Sequence, residues 1–139
     1  MVRSLERPDR WLWVACAGPD IVGFARLSGL EVAETRAETQ AAPTGLCLGG
    51  VSVSPVRRRL GIGTSLTRIR LSHAFQEQSA GQVWYFANAR NEASIALHAA
   101  LGFVEVERPM RFAPVSFAGG VGVLFVLSRA TWAAEAGAR

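Results

Sequence analysis

Hydrophobic and polar positions alternate with a short period early in the chain. Trp11 to Ala17 and Ile21 to Leu27 are rich in aromatic and β-branched residues, with Gly-Pro-Asp between them. That pattern predicts a β-hairpin, because β-branched and aromatic side chains suit a pleated surface and Gly-Pro-Asp suits a tight turn. Glu31 to Pro43 is polar and acidic with no clear period, and reads as a loop. Gly45 to Ser54 returns to a strand pattern that Pro55 ends. Gly49 and Gly50 inside it predict a bulge or a close approach by another molecule. The period then lengthens. Ile62, Leu66, Ile69 and His73 share one face of a helix running from Gly61 to about Gln78. Gln82 to Ala89 reads as a strand. Asn91 to Gly102 reads as a short helix with Asn91 as its N-cap and Gly102 as its stop. Phe103 to Phe112 and Val121 to Arg129 read as two more strands. Residues 1–10 form a short N-terminal extension, and 130–139 a poorly specified tail.

The order is therefore β-β-β-α-β-α-β-β in one domain, 1–139. This is a mixed, mostly antiparallel sheet of the α/β (α+β) class, with strand–helix–strand crossovers in its middle. The length of 139 residues, half of them hydrophobic, supports one buried core. Cys16 and Cys47 lie in strand-like runs without ligand spacing, so reduced thiols are expected. With His73 and His98 as the two histidines, no metal centre is expected. No apolar run is long enough to span a bilayer, and the first ten residues lack a signal-peptide core. A cytoplasmic protein without a membrane partner is the expectation.

Charge narrows the choice of ligand. The net charge is +4, and all fifteen basic residues are arginine. With much alanine and glycine, that usage fits a GC-rich bacterial coding bias. The sequence pI of about 10.4 favours an anionic partner. Charge alone does not separate nucleic acid from a phosphorylated cofactor. Interleaved exposed aromatics and a reader motif are both lacking, so nucleic acid is not expected.

The densest charge is Arg57, Arg58 and Arg59, which run straight into Gly61-Ile62-Gly63 and the helix that follows. The first N–H groups of a helix lack partners, and its dipole adds partial positive charge there. Gly61 and Gly63 remove side chains that would hold an anion away, and Thr64 adds a hydroxyl. The spacing is neither a Walker A loop nor Gly-x-Gly-x-x-Gly. Taken alone, it fits an ordinary glycine turn beside solvated arginines as well as an anion site.

The wider block does more. "VSVSPVRRRLGIGTSL", from Val51 to Leu66, resembles the acyl-CoA-binding motif of the GNAT superfamily of N-acetyltransferases, Val-x-Pro-x-x-Arg-x-x-Gly-x-Gly. Val53, Pro55, Arg58, Gly61 and Gly63 fit in register. "NEASIALHAALGF" resembles a later motif of the same family through Asn91, Ser94, Leu97, His98, Gly102 and Phe103. The resemblance covers roughly Trp11 to Arg129. It implies a GNAT-like fold with a β-α-β-α-β acyl-CoA-binding core, and acetyl-CoA as cosubstrate with CoA as product. The backbone of Val51, Ser52 and Val53 would hold the pantetheine arm as an added strand. The turn Arg58, Arg59, Leu60, Gly61, Ile62, Gly63 and Thr64 would wrap the pyrophosphate. Asn91 would bind the pantetheine, cap the helix, or do both. His98 stands where many relatives carry a tyrosine that protonates the leaving thiolate. It is either that acid or a packing residue beside Leu97 and Leu101, and His73 reads as structural. The implied activity is acetyl transfer to a primary amine. The amine attacks a thioester carbonyl polarised by the strand backbone.

The family usually begins with a strand and two helices that wall the acceptor site. Here they are expected to be missing or shortened. That would leave Trp11, Trp13 and their hairpin uncovered, and a homodimer is expected to bury them. The strand from Gly45 to Ser54 carries no carboxylate to act as base. Glu31, Glu34 and Glu38 either attract a cationic amine or form a solvated acidic loop. An acyl-CoA-binding sensor or partner module without transfer activity is the alternative reading.

Overall fold

The computed structural model describes residues 2–7, 10–30, 45–58, 61–110 and 122–137. Its first strand, β1, is Val2–Arg7. β1 pairs antiparallel with β2, Arg10–Ala17, and Arg7 lies opposite Arg10. The N-terminal strand expected to be missing or shortened is thus present within the supposed extension. Two residues separate it from β2, too few for a helix pair.

Along β2, buried Trp11, Trp13 and Ala15 alternate with half-buried Leu12, Val14 and Cys16, the period of a strand with one core face. β3, Asp20–Leu30, continues the hairpin, with Gly18 taking a positive φ of 58° in the turn. Trp11 sits opposite Leu27 and Trp13 opposite Ala25, so the buried residues of both strands share a face. β4, Gly45–Val53, is antiparallel to β3. After a short turn at Pro55–Arg57, helix α1 spans Ile62–Ser72. It loosens into a π-type turn, His73–Glu77, closed by the Gln78 N–H donating to the His73 carbonyl at 3.0 Å. Strand β5, Gln82–Asn88, is followed by α2, Glu92–Ala100, and β6, Val104–Met110. β7, Gly122–Ser128, leads into α3, Arg129–Gly137.

The strand order is β1-β2-β3-β4-β5-β7-β6. Every neighbouring pair is antiparallel except β4 and β5. This is the mixed sheet that the periodicity predicts, with one more strand at its edge.

Helix α1 lies on the apolar face. A Cβ placed at Gly23 would meet Ile62 Cγ2 at 3.2 Å and Leu66 Cδ1 at 3.5 Å. The His73 ring packs on Trp11 and Trp13, each 5.1 Å away between centroids. The tryptophans are therefore covered by the chain's own helix. The apolar patch expected on them does not exist. The exposed large apolar side chains of the hairpin are instead Ile21 and Phe24. α2 joins the same face through His98, stacked on Tyr85. α3 packs against the ends of the other helices, with Trp132 stacked on Phe75 and Thr131 against Gly102. The expected tail is thus a helix over most of its length. Fully buried Leu27, Leu66, Phe75 and Leu127 anchor the layer. Truncating any of them to alanine should cost about 2–5 kcal/mol.

Candidate functional site: an opened strand edge and a bare helix end

The parallel pairing of β4 with β5 is short. Leu46 pairs with Val83, Cys47 with Trp84 and Leu48 with Tyr85, and there it stops. Beyond this vertex β4 stays on β3, with Val51 opposite Ala25 and Val53 opposite Gly23. β5 stays on β7, with Phe86 opposite Leu124 and Asn88 opposite Gly122. The two strands part, and among the described residues no strand lies between their facing edges.

The sequence supplies the cause. Ala25 pairs with Val51 and Leu27 with Leu48, so Gly49 and Gly50 together oppose Arg26. An extra residue in one strand bends it, and this is the bulge the glycine pair predicts. A Cβ at Gly49 would come within 3.0 Å of Arg26 Cβ, while one at Gly50 would meet nothing within 4 Å. Glycine at 49 thus permits the close crossing, and Gly50 borders open space. An extended chain laid along the freed edge of β4 would find backbone groups to pair with.

The far end of that edge runs into the glycine turn. The Ser54 N–H donates to the Val22 carbonyl at 2.8 Å, which ties the end of β4 to β3. Arg57 and Arg58 are exposed in the turn that follows, while Arg59 and Leu60 lie outside the described residues. Gly61 is the N-cap of α1 at φ 79°, a left-handed conformation that costs glycine nothing, and it offers no capping side chain. The first helical bond runs from the Ser65 N–H to the Gly61 carbonyl at 2.9 Å. The N–H groups of Ile62, Gly63 and Thr64 are therefore left without intrahelical partners. A Cβ at Gly63 would sit 3.8 Å from Val51 and 4.0 Å from Val53. The helix start is thereby pressed against the opened strand, and it aims its N–H groups and dipole at the same region. Val51, Val53, Gly61, Ile62, Gly63 and Thr64 are brought together. Ser52 is set apart from them: its side chain alternates to the opposite face, and its carbonyl turns toward β3, 3.0 Å from a Cβ placed at Gly23, so Val51 and Val53 carry the backbone groups that face the freed edge.

Asn91 stands three residues beyond Asn88, the end of β5. Its Oδ1 accepts from the Ser94 N–H at 3.2 Å, so the capping role is realised. His98 is buried over the vertex, its ring stacked on Tyr85 at 3.6 Å between centroids and 5° between planes. Its Nδ1 lies 2.7 Å from the Ser94 carbonyl. A carbonyl only accepts, so Nδ1 carries the proton. The neutral ring then has a bare lone pair on Nε2, which has no hydrogen-bond partner among the described residues. Burial pushes the imidazole pKa down from 6.5 to about 4, opposed by the Ser94 bond and reinforced by the charge of Arg70. A ring in this state accepts a proton at Nε2 and has none there to give. This runs against the expected role of acid toward the leaving thiolate.

Two members of the vertex, Tyr85 and Arg70, escape a one-dimensional reading, while Cys47 is the reduced thiol expected there. Tyr85 hydrogen-bonds its hydroxyl to Ser94, and burial pushes its pKa up. Arg70 is wholly buried on the inner side of α1. The only trace of it in the sequence is its place one helical turn after Leu66, a charge on the apolar stripe. Cys47 is a buried thiol whose pKa burial raises to about 12. Glu31, Glu34 and Glu38, the candidate attractors of an amine, lie outside the described residues.

Comparison with known proteins agrees with this geometry. A family model described as the acetyltransferase (GNAT) family matches residues 3–103. Over 66 residues the chain is 35% identical to a mycothiol acetyltransferase of Paenarthrobacter aurescens strain TC1. That match takes in 48% of this chain and 20% of the relative, so the chain spans about a fifth of that protein's length. Among solved structures, mutant forms of the spermidine/spermine N-acetyltransferase SpeG from Vibrio cholerae superpose with a TM-score of 0.70 at 12% identity, over 93% of this chain and 70% of that one. A Bacillus anthracis protein assigned as a streptothricin acetyltransferase, solved with acetyl coenzyme A, gives 0.67 at 17% identity over 89% and 65%. The ribosomal-protein-S18-alanine N-acetyltransferase of Escherichia coli gives 0.64 at 20% identity over 88% and 71%. At these identities the structures share a fold.

Proposed function

The chain belongs to the acetyltransferase (GNAT) family, and we propose that it transfers an acetyl group from acetyl-CoA to a primary amine of a small molecule, peptide or protein. The observation that carries this reading is the parting of β4 from β5 beside the uncapped start of α1. One feature offers backbone groups to a pantetheine arm, and the other offers N–H groups and a dipole to phosphates. Arg57 and Arg58 add exposed positive charge at the rim. Acetyl-CoA supplies the activated acyl group. The strand edge would align it, the α1 terminus would hold its phosphates, and Asn91 would cap α2 beside it. His98, neutral and bonded to Ser94, would close the inner end of the groove, and water would relay the proton lost by the attacking amine to the leaving thiolate. We read the chain as a single cytoplasmic domain. A homodimer would form through the hairpin's exposed Ile21 and Phe24.

The second reading is an acyl-CoA-binding module without transfer. One observation favours it: the residue at the expected acid position is buried, with its one ring proton engaged by the Ser94 carbonyl and none on Nε2. A panel of amines incubated with acetyl-CoA, with products read by mass spectrometry, separates the two. An acetylated amine formed in step with free CoA supports transfer. Tight CoA binding without any acetylated product across polyamine, amino-sugar and peptide amines supports the binding module.

A further inference from the structure

Arg70 is the largest fully buried side chain in the described structure, at 0% exposure. An ionised group there must recover its lost hydration through hydrogen bonds. Its partners are not carboxylates. Nη1 donates to the Arg26 carbonyl at 2.8 Å and to the Gly49 carbonyl at 2.9 Å. Nε donates to the Leu66 carbonyl at 3.3 Å, and Nη2 to Thr67 Oγ1 at 3.0 Å. Thr67 Oγ1 in turn donates to the Gly63 carbonyl at 2.8 Å. The Leu66 and Thr67 bonds are local to the helix and fix the fork. The Arg26 and Gly49 bonds reach across to the sheet.

Those two distant carbonyls belong to the two strands at the bulge. Arg26 is the residue opposed by Gly49 and Gly50, and Gly49 is the first residue past the last β4–β5 pair. A guanidinium that takes both carbonyls staples the bulge at the point where the sheet opens. The residue that follows the bulge is Val51. Ser54 donates to the Val22 carbonyl and the Ser52 carbonyl lies beside Gly23, so both turn their backbone groups toward β3. The alternation of a strand then turns the N–H and carbonyl of Val51 and Val53 to the edge that has lost its β5 partner.

We propose that Arg70 is a positioning residue for acetyl transfer: it pins the Gly49–Gly50 bulge, so that the strand edge just beyond it presents the Val51 N–H to the thioester carbonyl. This rests on the acetyl-CoA reading above. The cation persists at neutral pH, since burial lowers its pKa only to about 10. In a site shielded from water such a fixed charge acts with little screening. Lysine cannot replace the fork, because one ammonium does not hold two carbonyls in fixed directions while keeping its helix bonds.

The test is isotope-edited infrared difference spectroscopy of acetyl-CoA labelled with ¹³C at the carbonyl, bound to wild type, Arg70→Gln and Arg70→Lys, with acetyl-CoA affinity measured on each by calorimetry. The thioester stretch should fall to lower wavenumber on wild type and return toward its free value on Arg70→Gln. Affinity should change by less than about threefold, because the phosphate contacts are untouched. Arg70→Lys should lie between the two, and it carries the comparison if Arg70→Gln does not fold. A wild type that binds acetyl-CoA without moving the stretch overturns the inference whatever the variants do. So does a stretch that moves equally in wild type and a folded variant. Loss of affinity together with the shift makes Arg70 a scaffold residue and overturns it too. A wild type that binds no acetyl-CoA overturns the functional reading, and this inference with it.

Discussion

One strand–turn–helix unit carries two kinds of arginine. Arg57 and Arg58 stand exposed in the turn at the wide end of the opened sheet, where no strand crowds them. Arg70 is sealed at the narrow end, one charge spread over three carbonyls and a hydroxyl. The first kind can only attract, and salt screens it. The second holds the backbone in a shape it would otherwise leave, and solvent does not screen it. Charge at the rim thus bears on how often and how tightly an anion docks. Charge at the vertex bears on what the docked molecule meets.

The largest expected effect comes from emptying the vertex. Arg70→Ala takes the guanidinium away from the Arg26 and Gly49 carbonyls and opens a cavity in the core. The cost should be about 3–5 kcal/mol. It is read as a lower urea midpoint at unchanged slope. A loss below about 1 kcal/mol would show that water satisfies these carbonyls and that Arg70 staples nothing.

Next is the hinge between the two arginine sites. Gly61→Val places a β-branched residue at φ 79°, a strain of roughly 1–3 kcal/mol, and pushes a side chain into the open space before the helix start. CoA affinity should fall by roughly a hundredfold, about 2.7 kcal/mol. A folded variant with unchanged affinity would detach the glycine turn from phosphate binding.

Much of this contrast was visible in the sequence, and the reason it was only partly so is physical. A run of three arginines against Gly-x-Gly stands out because like charges cluster only where solvent or an anion can take them. Gly49–Gly50 announced the bulge because glycine in a strand weakens it unless something needs the room. Arg70 made no such mark. Periodicity counts a lone arginine on an apolar stripe as a surface residue, and its partners are the carbonyls of residues 21 and 44 positions away. β1 was lost among alternating charges, and its pairing with β2 is a tertiary fact. α3 was lost because an alanine-rich segment has a weak apolar face. Its anchors, Trp132 on Phe75 and Arg129 donating to the Ala80 carbonyl at 3.0 Å, lie more than forty positions away. The tryptophans were expected bare because the pattern did not show that His73 would reach them.

Smaller effects belong to the rim. Arg58→Gln should weaken CoA binding by a few-fold at low salt, about 0.5–1 kcal/mol, and flatten the fall of affinity with ionic strength. An unchanged salt dependence, with affinity also unchanged, would return Arg58 to solvent.

The smallest effect on turnover is expected at His98. His98→Phe keeps a flat ring against Tyr85 and, with any accepted amine, should leave turnover within a few-fold of wild type. A fall of roughly 10²–10⁴-fold, the usual worth of general acid catalysis, would restore the acid role. The same variant should alter acid stability. The folded pKa of about 4 lies below the unfolded 6.5, so the unfolded state binds more protons between them. Stability contributed by the neutral ring is fully present above pH 6.5 and is lost as pH falls toward 4. Thermal melts across that window should therefore fall less steeply for His98→Phe than for wild type. Parallel slopes would mean that His98 titrates in the folded protein as it does in the unfolded chain.

An amide ¹H–¹⁵N map of the wild-type protein titrated with CoA reads the strand edge and the helix start together. The largest shifts should fall on Val51 and Val53, whose N–H groups face the opened edge, on Gly61, Ile62, Gly63 and Thr64 at the helix start, and on Asn91. The hairpin turn from Ala17 to Ile21 should stay still. Shifts centred on that turn or on Phe24, with the glycine turn and the β4 edge unmoved, would place CoA elsewhere on the molecule.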